Sequence, residues 1–164
     1  MNEYIQLKAR NTLKIGLKDE FGNERKDENG NLLYIEFDLE DIELPLKYNK
    51  CEFLIRKAKQ DLKFDKLIID KRQDVKGKYL LSKNQEDKIK ATQKYYKTME
   101  EAMNLFLGEG AVEKIFGKKR YYDMFDDLAE QLEPIMPLLS QNLANITKKI
   151  PEKYKNVNDD VLKS

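Results

Sequence analysis

The sequence predicts an α+β protein, with an N-terminal β-hairpin that forms a small antiparallel sheet and a mainly α-helical bundle behind it. Three observations carry that prediction. Leu13, Ile15 and Leu17 alternate with polar residues or glycine, and Leu33, Ile35, Phe37 and Leu39 alternate with Tyr34, Glu36 and Asp38, the period-two pattern of strands with one buried face. From Pro45 onward the apolar residues recur instead at helical spacing. Gly108, Gly110 and Gly117 then punctuate that helical half twice within ten residues.

The hairpin is expected over residues 12–39, its strands joined by a charged loop with two turn signals, Phe21-Gly-Asn23 and Asn29-Gly-Asn31. A lone hairpin is marginal in water, so helices or a further strand must cover its apolar face, and Tyr4–Lys8 is the candidate strand. The acidic run Asp38–Glu43 lacks the glycine-turned pattern of a calcium loop. It reads as helix-dipole complement to a helix over residues 45–63, whose buried stripe takes Cys51, Leu54, Ile55, Ala58 and Leu62. Residues 64–84 fit either a helical extension or a short strand, followed by a polar connector.

Ser82 and Gln85 have the spacing of a capping box and open a long helix over about 85–107. Within it Ile89, Tyr96 and Met103 fall seven apart, and Thr92, Met99 and Phe106 repeat the interval, setting a seam that needs a helical partner. That partner is either the chain's own C-terminal helices or a helix of another chain. Tyr96, Met99, Met103 and Phe106 are candidate partner-binding residues because thioether side chains repack readily around varied partners.

The long helix ends in a corner. Gly108 or Gly110 can cap its end in a left-handed conformation, a short helix follows over 111–116, and Gly117 closes it, with Ala111, Val112, Ile115 and Phe116 filling the angle. After the corner a strongly acidic helix begins near Tyr121. Its outward Asp123, Asp126 and Asp127 offer either a solvated face or a docking surface for a basic partner, and its apolar side takes Tyr122, Phe125, Leu128, Ala129 and Leu132. Pro134 and Pro137 interrupt helical structure that continues to about residue 150.

Composition bounds the function. The 164 residues suffice for one core, so a single domain over 1–150 is expected, with a polar flexible tail at 151–164. The 31 basic and 30 acidic residues leave a formal charge of +1, which gives no global field toward nucleic acid or membrane. Locally, Lys71–Lys78 and Lys114–Arg120 are the stretches a small nucleic-acid-binding regulator would use. No run is apolar enough to span a bilayer and residues 1–10 do not read as a secretory leader, so a cytoplasmic protein is expected. With no histidine, one cysteine, no phosphate-cradling glycine loop and no zinc spacing, an enzyme, a cofactor and a metal site are not expected.

The order of a helix ending in Asn104-Leu-Phe106, then Gly108-Glu-Gly110, a small residue, Glu113-Lys-Ile-Phe-Gly117 and a second, acidic helix resembles the tail assembly chaperones of long-tailed phages and prophages of Gram-positive, clostridial-type hosts. The resemblance implies a non-catalytic protein of the host cytoplasm, absent from the mature virion. Its implied partners are the helical tape measure protein, which it keeps soluble, and the tail tube protein, which it helps recruit; self-association is left open. A structural virion protein, such as a tail-completion or connector component, is the alternative.

Overall fold

The computed structural model describes residues 3–163, with side chains described through residue 149. It is an α+β protein with strands β1 (Thr12–Gly16) and β2 (Tyr34–Asp38) and helices α1 (Leu44–Lys71), α2 (Lys83–Leu107), α3 (Ala111–Phe116), α4 (Met124–Leu132) and α5 (Met136–Lys163). A 3₁₀ turn at Glu133–Ile135 carries Pro134 in its first turn, where a missing N–H costs nothing. The chain forms two compact units, one of Met1–Pro45 with Arg120–Ser164 and one of Leu46–Lys119.

In the first unit β1 and β2 pair antiparallel with Leu13 opposite Phe37 and Ile15 opposite Ile35, so the alternation puts four apolar side chains on one face. Ile35 and Phe37 are buried, as are Met124, Phe125, Leu128 and Leu139. Lys14 faces Glu36 on the other side of the sheet. Tyr4–Lys8 forms no strand: the segment is without regular structure, and Tyr4, Ile5 and Leu7 are exposed.

The loop between the strands is more ordered than its charge implies. Asp19 and Asp27 each accept two backbone N–H groups through one carboxylate oxygen, Asp19 from Phe21 and Asn23, Asp27 from Asn29 and Asn31, all at 2.9 Å. These donors hold the Asp19 carboxyl below its usual range, the Asn23 amide contributing most. The two turns belong to a tandem eight-residue repeat in which Lys18, Asp19, Glu20, Gly22 and Asn23 recur as Lys26, Asp27, Glu28, Gly30 and Asn31. Residues at that interval close a ring of backbone hydrogen bonds: Leu17 N–H donates to Leu33, Leu33 N–H to Arg25, and Arg25 N–H to Leu17, at 2.9–3.1 Å.

At the C-terminal side, α4 begins three residues later than the acidic helix anticipated from sequence. Asp123 adopts a left-handed backbone (φ 61°) directly before it, so Tyr122 lies outside the helix and is 84 % exposed rather than on its apolar side. Helix α5 continues through Pro151 to Lys163, over the stretch that composition alone marks as a tail.

In the second unit α1 and α2 form an antiparallel pair. α1 extends eight residues past the Lys63 end suggested by its first stripe, so Phe64–Ile69 is helical extension and not strand. Its inner stripe, Tyr48, Cys51, Ile55, Ala58, Leu62, Asp65 and Ile69, follows strict three-four spacing and includes the buried Cys51, Ala58 and Ile69. Ion pairs cross the two helices from Asp70 to Lys88 (2.5 Å) and from Asp65 to Lys94 (3.9 Å).

Candidate functional site

The polar groups of the α1–α2 connection are used locally. Asp74 Oδ1 accepts from Val75 and Asn84 N–H at 2.9 and 3.0 Å, and the Asn84 bond is the largest cause of a carboxyl held below its usual range. Arg72 pairs with Asp87 and donates to Asn84 Oδ1, and its guanidinium is the main reason the Asp87 carboxyl is lowered. The Ser82–Gln85 capping box is present in both directions. Gly77 is required by packing: a Cβ there would lie 2.1 Å from the Leu81 carbonyl oxygen. The loop that results presents Tyr79 and Leu80 to solvent.

The left-handed cap expected at the end of the long helix is not formed: Gly108 closes α2 at φ 116° and ψ 156°, and the glycine in the left-handed helical region, Gly110, stands at the start of α3 instead. Gly108 N–H donates to the Asn104 carbonyl, while Gly110 (φ 72°) and Gly117 (φ 74°) flank α3 in backbone conformations that disfavour a Cβ. Gly110 has no side chain to cap α3, and the Asn104 side chain does that work from one helix away. Its Oδ1 accepts the Val112 N–H at 2.9 Å, satisfying a donor otherwise left open at the start of a helix. Val112 and Ala111 are buried beneath it, with Ile115 and Phe116 half-buried. No local motif signals this role, because Asn104 lies in α2 and the N–H it accepts belongs to α3.

The candidate partner residues on α2 are largely interior. Met99, Met103 and Phe106 are 3 %, 5 % and 6 % exposed, and the Phe106 ring packs edge-on against Tyr48 of α1 with centroids 5.4 Å apart. Phe106, at the end of the seam, is therefore taken by α1 of the same chain; Met99 and Met103 are buried within the chain, while Ile89 at the start of the seam is 48 % exposed. Tyr96 is half-buried on the same helix. Asp126 and Asp127 are exposed in the first turn of α4, where they complement the helix dipole, and Asp123 is its N-terminal flanking residue, also exposed.

A row of exposed apolar side chains lies on the other side of α1. Leu46 and Phe53 are 71 % and 64 % exposed, Phe64 and Leu67 64 % and 48 %, and they lie along the face opposite Cys51, Ala58 and Ile69. This stripe lies outside the single apolar face expected for the helix from its Cys51–Leu62 series. It was legible as a second three-four series, Leu46, Lys50, Phe53, Lys57, Gln60, Phe64, Leu67 and Lys71, running through the same helix.

Cys51 is buried, and loss of hydration pushes its thiol up to about 11, with the nearby Glu52 carboxylate adding to the effect. A thiol in that state is a small core side chain. Among the described residues no group of three or more Cys, Asp or Glu side chains is placed to hold a metal ion, and no helix is long and apolar enough to cross a membrane. No protein-family model, curated protein or solved structure matches the chain.

Proposed function

We propose that this chain is a non-catalytic polypeptide-binding protein that serves as a phage tail assembly chaperone: it holds the helical tape measure protein in solution and helps bring tail tube subunits to it. The observation that carries this reading is the outward stripe of α1. Four large apolar side chains are left exposed on one face of a 28-residue helix, Phe64 and Leu67 side by side and the others separated by lysines, a row that a partner helix can cover. A tape measure helix exposes stripes of its own until the tube encloses it, so shielding requires only complementary helix faces and no bond-making chemistry. The resemblance of the 104–117 corner to tail assembly chaperones supplies the client's identity. The basic stretch at 71–78 favours the regulator alternative less, since Arg72 is committed to Asp87 and Asn84.

Co-expression with a tape measure protein, a large helical protein, tests the proposal. The expected result is that the large protein stays in the soluble fraction and co-purifies with this chain, which is itself missing from purified virions. Precipitation of the large protein regardless, or stoichiometric recovery of this chain from virions, overturns it in favour of a structural tail component.

A further inference from the structure

We infer that the outer seam of α1 seats an acidic amphipathic helix of the client, an inference that rests on the polypeptide-binding reading and narrows it to one surface and one charge class. The spacing identifies the occupant as a helix. Leu46, Lys50, Phe53, Lys57, Gln60, Phe64, Leu67 and Lys71 advance by alternating steps of four and three, and all eight are exposed. That spacing keeps a straight row of side chains along an α-helix, the row another helix needs to lie alongside at a shallow angle. An extended strand would find no backbone edge there, because a helix uses its own N–H and C=O groups. From Leu46 to Lys71 the seam runs about 38 Å at 1.5 Å per residue, room for roughly seven turns of partner.

The composition identifies the charge. Apolar side chains occupy four positions, glutamine one and lysine three, and no carboxylate stands in the row. Lys50, Lys57 and Lys71 have no ion-pair partner among the described residues, whereas the neighbouring Arg56 pairs with Glu52 at 4.0 Å. A helix docking on Phe53 and Phe64 must come down over Lys50 and Lys57. Their aliphatic stems add to the apolar contact while the ammonium groups reach toward the partner's flanks. Carboxylates on those flanks receive them; lysines or arginines there set like charges against each other as water leaves. The chain's near-zero net charge makes the segregation local, a property of this face and not of the molecule.

The test uses the full chain and two labelled 28-residue helical peptides with the same leucine seam, one flanked by glutamates and one by lysines, read by fluorescence anisotropy. The glutamate peptide should bind at least about tenfold more tightly, with the difference shrinking as salt rises. Phe53→Asp/Phe64→Asp, checked by circular dichroism for intact helix content, should abolish binding of both. Lys50→Glu/Lys57→Glu should reverse the preference. Equal affinity for the two peptides, no binding of either, or an unchanged preference in the charge-reversed protein overturns the inference. Co-expression separates it from the chaperone reading. If Phe53→Asp/Phe64→Asp still holds the tape measure protein in solution, the seam falls and the chaperone stands. If the wild type binds the glutamate peptide but not the tape measure protein, the seam stands and the client is another acidic helix.

Discussion

The two sides of α1 have the same spacing and different chemistry. On the inner side Cys51, Ala58 and Ile69 are buried, two of the three small, with Ile55 and Leu62 half-buried beside them. On the outer side the apolar residues are large, two of them phenylalanines, and lysines stand between them. A helix that closes a core needs complementary volumes; a helix that must stay dispersed while waiting for a partner needs charges among its apolar groups. On the proposed reading, the contrast separates a permanent contact from an intermittent one on a single 28-residue element.

Substitutions can press on each side separately. The largest effect is expected at the buried face of α2. Met103→Ala should lower the stability of the fold by about 2–5 kcal/mol, as lost transfer energy and a residual cavity add together, measured by urea unfolding. Next comes Asn104→Ala, which leaves the Val112 N–H without its acceptor. A loss of about 1 kcal/mol is expected, and hydrogen exchange at Val112 should speed up more than at the centre of α2. Smallest is the outer seam. Phe53→Ala and Phe64→Ala should each change stability by no more than about 0.5 kcal/mol, because both side chains stay mostly in water on folding. A loss as large as that of Met103→Ala would mean the outer face is covered within the chain, and the contrast would collapse.

Acid sharpens the comparison along another axis. Asp74 and Asp87 lie in or beside the α1–α2 connection and their carboxyls are lowered in the fold, chiefly by the Asn84 N–H and by Arg72 respectively. A group lowered in the folded state contributes stability above its unfolded value, about 3.9 for aspartate. That contribution is lost as pH falls through the lower native value. The connection should therefore hold its structure at pH 5 and loosen only below about 4, with the Val75 and Asn84 amide resonances shifting together. Separate or earlier shifts would break the link between those carboxyls and the loop.

Much of this architecture is legible in the residues. Alternation around Ile15 and Phe37 gives the sheet its register, the Ser82–Gln85 pair starts α2, and the paired glycines bracket α3. Three things were not. α1 lost its periodicity after Lys63 because Phe64 and Leu67 belong to one stripe and Ile69 to the opposite one, and two stripes together look apolar all round. Asn104 caps a helix other than its own, which no local motif encodes. A seam such as Met99, Met103 and Phe106 announces that a helix needs a neighbour, but the spacing is identical whether the neighbour is Tyr48 of the same chain or a residue of another. The aspartates at 126 and 127 are in the same position: helix-dipole complement and docking charge require the same residue types at the same places.

The loop between β1 and β2 carries a constraint of its own on how this protein can vary. Each of its turns is closed by its own aspartate, and the ring through Leu17, Arg25 and Leu33 is tied at intervals of eight residues. Letters may therefore change freely within a turn, as Phe21 and Asn29 already do at equivalent places, while the count between ties may not. Loss of one residue would turn the following strand over and send Ile35 and Phe37 to the wrong face of the sheet. Loss of a whole octad would leave one complete turn and the strand face intact. Length in this part of the molecule is quantised, and its unit is the repeat.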